Sequence, residues 1–103
     1  EFREYYPHGT GHWLGLDVHD ENTYFSPQGI EIPLAVGSVF TVEPGLYLDL
    51  FRQNIPEKYR GIGIRIEDDI HLLQNGIEIL SADAAKEILD IEAACAINYN
   101  DIT

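Results

Sequence analysis

Three of the chain's four histidines fall in the stretch Tyr6-Pro-His-Gly-Thr-Gly-His-Trp-Leu-Gly-Leu-Asp-Val-His19, set among glycines. A helix is a poor home for it. His8 and His12 have helical spacing, but Gly9 and Gly11 lie between them, and each glycine costs a helix about 1 kcal/mol relative to Ala. Gly9 also stands where the zinc-helix pattern requires Glu, and Leu14 stands where the dinucleotide-binding pattern requires its third glycine. The stretch therefore reads as a loop running into a strand over 12–18. His12, Leu14, Leu16 and Val18 would share one face, with Trp13, Gly15, Asp17 and His19 on the other. His12 is then the polar member of an otherwise apolar face.

Two later stretches repeat that pattern of one polar group in an apolar segment. In Phe40-Thr-Val-Glu-Pro-Gly45, Gly37 opens a strand over 39–42 and Glu43 sits where Pro44 and Gly45 bend it; the strand resumes over 46–50. In Gly61-Ile-Gly-Ile-Arg-Ile-Glu67, Ile62, Ile64 and Ile66 alternate with Gly63, Arg65 and Glu67. The aliphatic face is expected to pack on the core, and Asp69 and His71 continue the polar one. Between these strands, Pro27, Gly29 and Pro33 mark a loop with a short edge strand at 30–32, and 51–60 is a second loop. Asn75-Gly76 is a two-residue hairpin signal. A helix is expected over roughly 86–97, followed by a frayed terminus at 98–103.

Composition narrows the function classes. The chain of 103 residues carries a net charge of −12, from 18 acidic and 6 basic residues. Phosphate contacts need clustered Lys and Arg, so nucleic acid is excluded as a partner, and an anionic membrane is disfavoured. No apolar run approaches the roughly 18 residues of a spanning helix, and no signal peptide is visible. Cys95 has no second cysteine to pair with, which fits a reducing, cytoplasmic setting; it is read as a packing residue. Hydrophobic content of 45% and a single-domain length imply one folded unit.

His12, Glu43 and Glu67 are each a polar group on a segment that otherwise wants burial. A buried carboxylate without a partner costs several kcal/mol. A divalent cation would satisfy all three, and imidazole with carboxylates suits zinc, manganese, iron or cobalt better than calcium. The plain alternative pairs Glu67 with Arg65 or a lysine, leaves Glu43 solvated at its turn, and makes His12 a satisfied core histidine. Spacing alone favours that alternative.

The motifs together change the balance. Pro7-His-Gly-Thr-Gly-His-Trp-Leu-Gly-Leu-Asp-Val-His-Asp20, Thr41-Val-Glu-Pro-Gly-Leu-Tyr47 and Ile55-Pro-Glu-Lys-Tyr-Arg-Gly-Ile-Gly-Ile-Arg-Ile-Glu-Asp-Asp-Ile70 resemble, in order, the aminopeptidase P family of proline-specific pita-bread metallopeptidases. The resemblance runs from about residue 6 to residue 96. It implies an α+β fold, the second half of a pita-bread domain, mainly antiparallel with a C-terminal helix. It implies that His12 and Glu43 bind one metal of a dinuclear site and that Glu67 bridges both metals. The ions would be a pair of Mn2+, with Zn2+, Co2+ or Fe2+ as alternatives. His8 and His19 would hold the substrate or stabilise the tetrahedral intermediate, and Arg65 would orient the carboxylates. Asp17 would either support His19 or be structural, and Trp13 is read as packing.

The implied reaction removes an N-terminal residue that precedes proline, by metal-activated water attack on a peptide. Prolidase, a dipeptidase with the same site, and a non-catalytic peptide- or protein-binding module are the alternatives. The family's remaining metal ligands are aspartates that precede these motifs, and no stretch here matches them. The chain is thus expected to be a fragment, inactive by itself, that needs the upstream half of its domain. Self-association through an uncovered sheet face and a homo-oligomeric parent enzyme are further expectations.

Overall fold

The computed structural model describes residues 2–96. Among these residues, five strands and one α-helix carry the fold: β1 (Val39–Val42), β2 (Gly45–Tyr47), β3 (Gly63–Arg65), β4 (Asp68–Leu73), β5 (Gly76–Ile79) and α1 (Ile88–Cys95). All strand pairs are antiparallel, with β1-β4-β5 in one sheet and β2-β3 in another.

The two sheets are one bent ribbon. Val42 lies opposite Asp68 on one side of the bend and Gly45 opposite Arg65 on the other. The register is unchanged across the gap, so Pro44 faces Ile66 and Glu43 faces Glu67. Pro44 has no N–H and cannot donate to the ladder, although its carbonyl still accepts from Ile66 N–H at 3.1 Å. The interruption follows from that residue.

A third backbone segment flanks β1. Glu43 N–H donates to Thr10 O at 2.7 Å, Thr41 N–H to His12 O at 2.8 Å and Leu14 N–H to Val39 O at 3.0 Å. Residues 10–14 therefore run antiparallel along β1. The strand expected over 12–18 ends there. Gly15 N–H reaches Asp17 O, and Asp20 N–H returns to Trp13 O, so the chain folds back on itself after Leu14. Leu16 and Val18 project into solvent instead of sharing a buried face with His12. Local closure of a turn by Gly15 and Asp17 overrides the alternating pattern.

The edge strand expected at 30–32 is one isolated bridge, Phe25 to Glu31. The 51–60 loop holds a 3-10 turn, Glu57–Tyr59. The β4–β5 hairpin turns at Gln74 and Asn75, one position before the Asn75-Gly76 pair; Gly76 already faces Leu73 and has φ +149°. After β5 the chain is latched back to β4: Ser81 Oγ–H and Lys86 Nζ–H both donate to Asp68 Oδ1, and Asp69 N–H donates to Ser81 Oγ at 3.0 Å. Lys86 first, and then Ser81, hold the Asp68 carboxyl below the usual carboxylate range. The helix is shorter than the expected 86–97, and the terminus expected at 98–103 lies outside the described residues.

The core is small. Ile55, Ile70 and Thr41 are the buried side chains among the described residues. Ile62, Ile64 and Ile66, expected to face a core, are 42%, 58% and 45% exposed, because no described element covers that side of the ribbon. Cys95, expected to pack, is exposed on a helix with no buried residue. The radius of gyration is 18.0 Å, against about 13 Å for a compact domain of 100 residues.

Candidate metal centre

The site forms where the three backbone segments lie side by side. His12 comes from the 10–14 segment, Glu43 from the end of β1, and Glu67 from the break between β3 and β4. One donor atom from each lies within 4.8 Å of the other two. His12 Nε2 is 3.6 Å from Glu43 Oε1 and 4.0 Å from Glu67 Oε1. Two ligands each about 2.1 Å from a shared ion stand roughly 3 to 4 Å apart, so these spacings fit a divalent cation.

The His12 ring is set for such a role. Its Nδ1 lies 3.0 Å from Trp13 O. A carbonyl only accepts, so Nδ1 carries a proton and Nε2 is the ring nitrogen that faces the two carboxylates. Trp13 packs, as expected, stacking on Tyr24 with ring centroids 5.5 Å apart and meeting Phe40 edge-on.

Arg65 lies beside both carboxylates, with Nε 3.6 Å from Glu43 Oε2 and 3.4 Å from Glu67 Oε2. It neutralises part of the cluster from a position 51% exposed.

The other histidines border the centre in different ways. The His19 ring centroid is 4.1 Å from that of His12, although strand alternation put the two on opposite faces. The turn after Leu14 brings them together. Asp17, considered as a support for His19, is exposed and takes part through its carbonyl. His8 Nδ1 donates to Gly9 O at 2.7 Å, and His8 Nε2 accepts from the Tyr47 hydroxyl at 2.8 Å. Gly45 makes room for this pair: a Cβ there would come within 2.9 Å of both His8 Nε2 and Tyr47 Oη.

Two residues of this neighbourhood were not singled out by sequence reasoning. Tyr47 fixes His8. Thr41, 2% exposed, lies between His12 and Glu43. The signal for Thr41 was present, since a Thr two residues before Glu43 on a strand shares its face. A cavity of about 460 Å³ opens beside His12 and Thr41, walled by Tyr24, Phe25, Ile32, Leu34, Phe40 and Val42.

The sequence pattern of metallopeptidase family M24 matches residues 1–73. An Xaa-Pro aminopeptidase of Haemophilus influenzae is 50% identical over 91 residues, covering 88% of this chain and 20% of its own length. Human Xaa-Pro aminopeptidase 3 is 49% identical over 94 residues, covering 91% of this chain and 18% of its own length. Among solved structures, Pseudomonas aeruginosa aminopeptidase PepP superposes with a TM-score of 0.85 at 42% identity, over 92% of this chain and 21% of that one. Aminopeptidase P from Escherichia coli with the inhibitor Pro-Leu superposes with a TM-score of 0.78 at 50% identity, over 88% and 20%. The chain thus spans about a fifth of the length of the relatives it matches, and the expected α+β pita-bread architecture holds over that span.

Proposed function

Because the chain belongs to metallopeptidase family M24, we propose that His12, Glu43 and Glu67 are ligands of a catalytic metal site in an Xaa-Pro metalloaminopeptidase. The chain acts as the C-terminal part of a pita-bread catalytic domain, completed by an upstream half. The substrate is a peptide with proline in second position, and the product is that peptide shortened by its N-terminal residue. The observation that carries this reading is the convergence of three donors from three backbone segments, with His12 Nε2 left free to bind.

When bound, a pair of divalent ions, manganese in this reading, supplies a water of lowered pKa and positive charge for the developing oxyanion. Zinc fits the same donors, and a zinc-substituted aminopeptidase P of Escherichia coli in complex with product is among the similar structures. The chain's own residues do the rest. Glu43 and Glu67 present carboxylate oxygens held in place by Arg65. His19, exposed beside His12, donates a hydrogen bond to the substrate carbonyl oxygen. His8, fixed between Gly9 and Tyr47, borders the substrate on the other flank. Cytoplasmic residence and a homo-oligomeric parent enzyme belong to the same proposal; no described helix is long and apolar enough to cross a membrane.

One observation favours a second reading. Arg65 contacts both carboxylates, so the cluster is partly satisfied without metal, as a non-catalytic binding module would require. A manganese-supplemented cleavage assay separates the readings, with the chain alone and mixed with the upstream half of a relative's domain. Cleavage of a tripeptide with proline second, abolished by Glu43→Gln, supports the aminopeptidase. Cleavage of an Xaa-Pro dipeptide alone points to a prolidase. Association of the halves without cleavage of either peptide points to the binding module.

A further inference from the structure

We propose that Thr41 is a positioning residue that ties His12 and Glu43 into one unit, an inference that rests on the metal-site reading. An antiparallel pair such as His12 and Thr41 normally exchanges two backbone hydrogen bonds. Here Thr41 N–H donates to His12 O at 2.8 Å, but His12 N–H donates to the Thr41 hydroxyl at 3.0 Å. The side chain has taken a place in the ladder. The Thr41 hydroxyl then donates to Glu43 Oε1 at 3.3 Å, the oxygen nearest His12 Nε2.

A hydroxyl has one proton to give and lone pairs to receive. Both uses are spent on the two proposed ligands. Thr41 is the buried polar residue among those described, so no solvent competes for either bond. Gly11 allows the close approach: a Cβ there would stand 1.9 Å from Thr41 O. The backbone carrying His12 and the carboxylate of Glu43 thus share one buried anchor. A valine, with nearly the same shape and no hydroxyl, would orphan the His12 N–H and release Glu43 Oε1 together.

The test compares wild type, Thr41→Val and Thr41→Ser by two measurements on the 103-residue chain. The first is Co2+ binding followed by visible absorption. Thr41→Val is expected to weaken binding about 10- to 100-fold, the loss typical of removing a group that orients a ligand, and Thr41→Ser to restore it. The second needs no metal: amide hydrogen exchange. Faster exchange at His12 alone in Thr41→Val, reversed in Thr41→Ser, supports the positioning role. Uniformly faster exchange across the ribbon shows a merely structural threonine and overturns it. Unchanged exchange at His12 overturns it as well. If wild type, alone and mixed with the upstream half of a relative's domain, shows no Co2+ binding while the exchange result holds, the metal reading fails and the anchor stands as architecture only.

Discussion

Glu43 and Glu67 face each other across the break in the β ribbon, at the position where the register fixed on both sides would pair them. Like charges directly opposite on a sheet are destabilising. His12 and Arg65 are the cations or potential cations within 4.0 Å of them. The fold thus builds a local excess of negative charge and leaves it open to a further cation. Glu67→Gln is expected to leave the metal-free chain as stable as wild type or slightly more so. Wild type should gain about 2.7 kcal/mol with Mn2+ at a hundred times its dissociation constant, and the variant should gain none. Thermal unfolding with and without Mn2+ reads both effects. A variant still stabilised by the metal would remove Glu67 from the ligand set.

Gly11 is required by closeness, not by backbone angle. A methyl group there would overlap the Thr41 carbonyl. Gly11→Ala is expected to cost about 1–3 kcal/mol through overpacking and to push the 10–14 segment from β1. Exchange protection at Thr41 and Glu43, whose N–H groups donate to His12 O and Thr10 O, should fall. Retained protection at both would show that the segment yields without losing its place.

Ile62, Ile64 and Ile66 leave an aliphatic stripe in water. Contiguous apolar surface of this kind drives association. Sedimentation of the chain alone is expected to show a concentration-dependent increase in mass and dye binding. Ile64→Lys should reduce both. A wild-type chain that sediments as a monomer and binds no hydrophobic dye would contradict the expectation.

The Arg52 guanidinium bonds to the Glu4 carboxylate and lies 5.4 Å from the centre of the Tyr5 ring, tying the start of the described chain to the 51–60 loop. The Arg52 hydrogen bond holds Glu4 below its ordinary value. A depressed carboxylate contributes stability above its unfolded pKa and loses it as pH falls through the lowered folded one. The tie should therefore outlast ordinary carboxylates on acidification. Carboxyl NMR titration should find Glu4 moving up toward its usual range in Arg52→Gln. An identical midpoint in both proteins would place the cause elsewhere.

Much of the local structure was legible in the sequence because its causes are local. Pro44 bends the strand, Gly37 opens β1, the Asn75-Gly76 pair signals the hairpin to within one position, and alternation marks β3. His12, Glu43 and Glu67 stood out for the same reason, since a lone polar group in an apolar strand requires a partner, but that pattern alone favoured ordinary ion pairs, and the family resemblance carried the metal reading. The tertiary structure decided what depends on distant pairing. Only the register of β1 and β2 against β3 and β4 sets Glu43 opposite Glu67. Only the turn after Leu14 carries His19 to His12. Only the pressing of Gly11 against β1 puts the Thr41 hydroxyl where a carbonyl would ordinarily accept. Burial was decided there too, since a strand's apolar alternation names the face that seeks cover and cannot supply the surface that covers it.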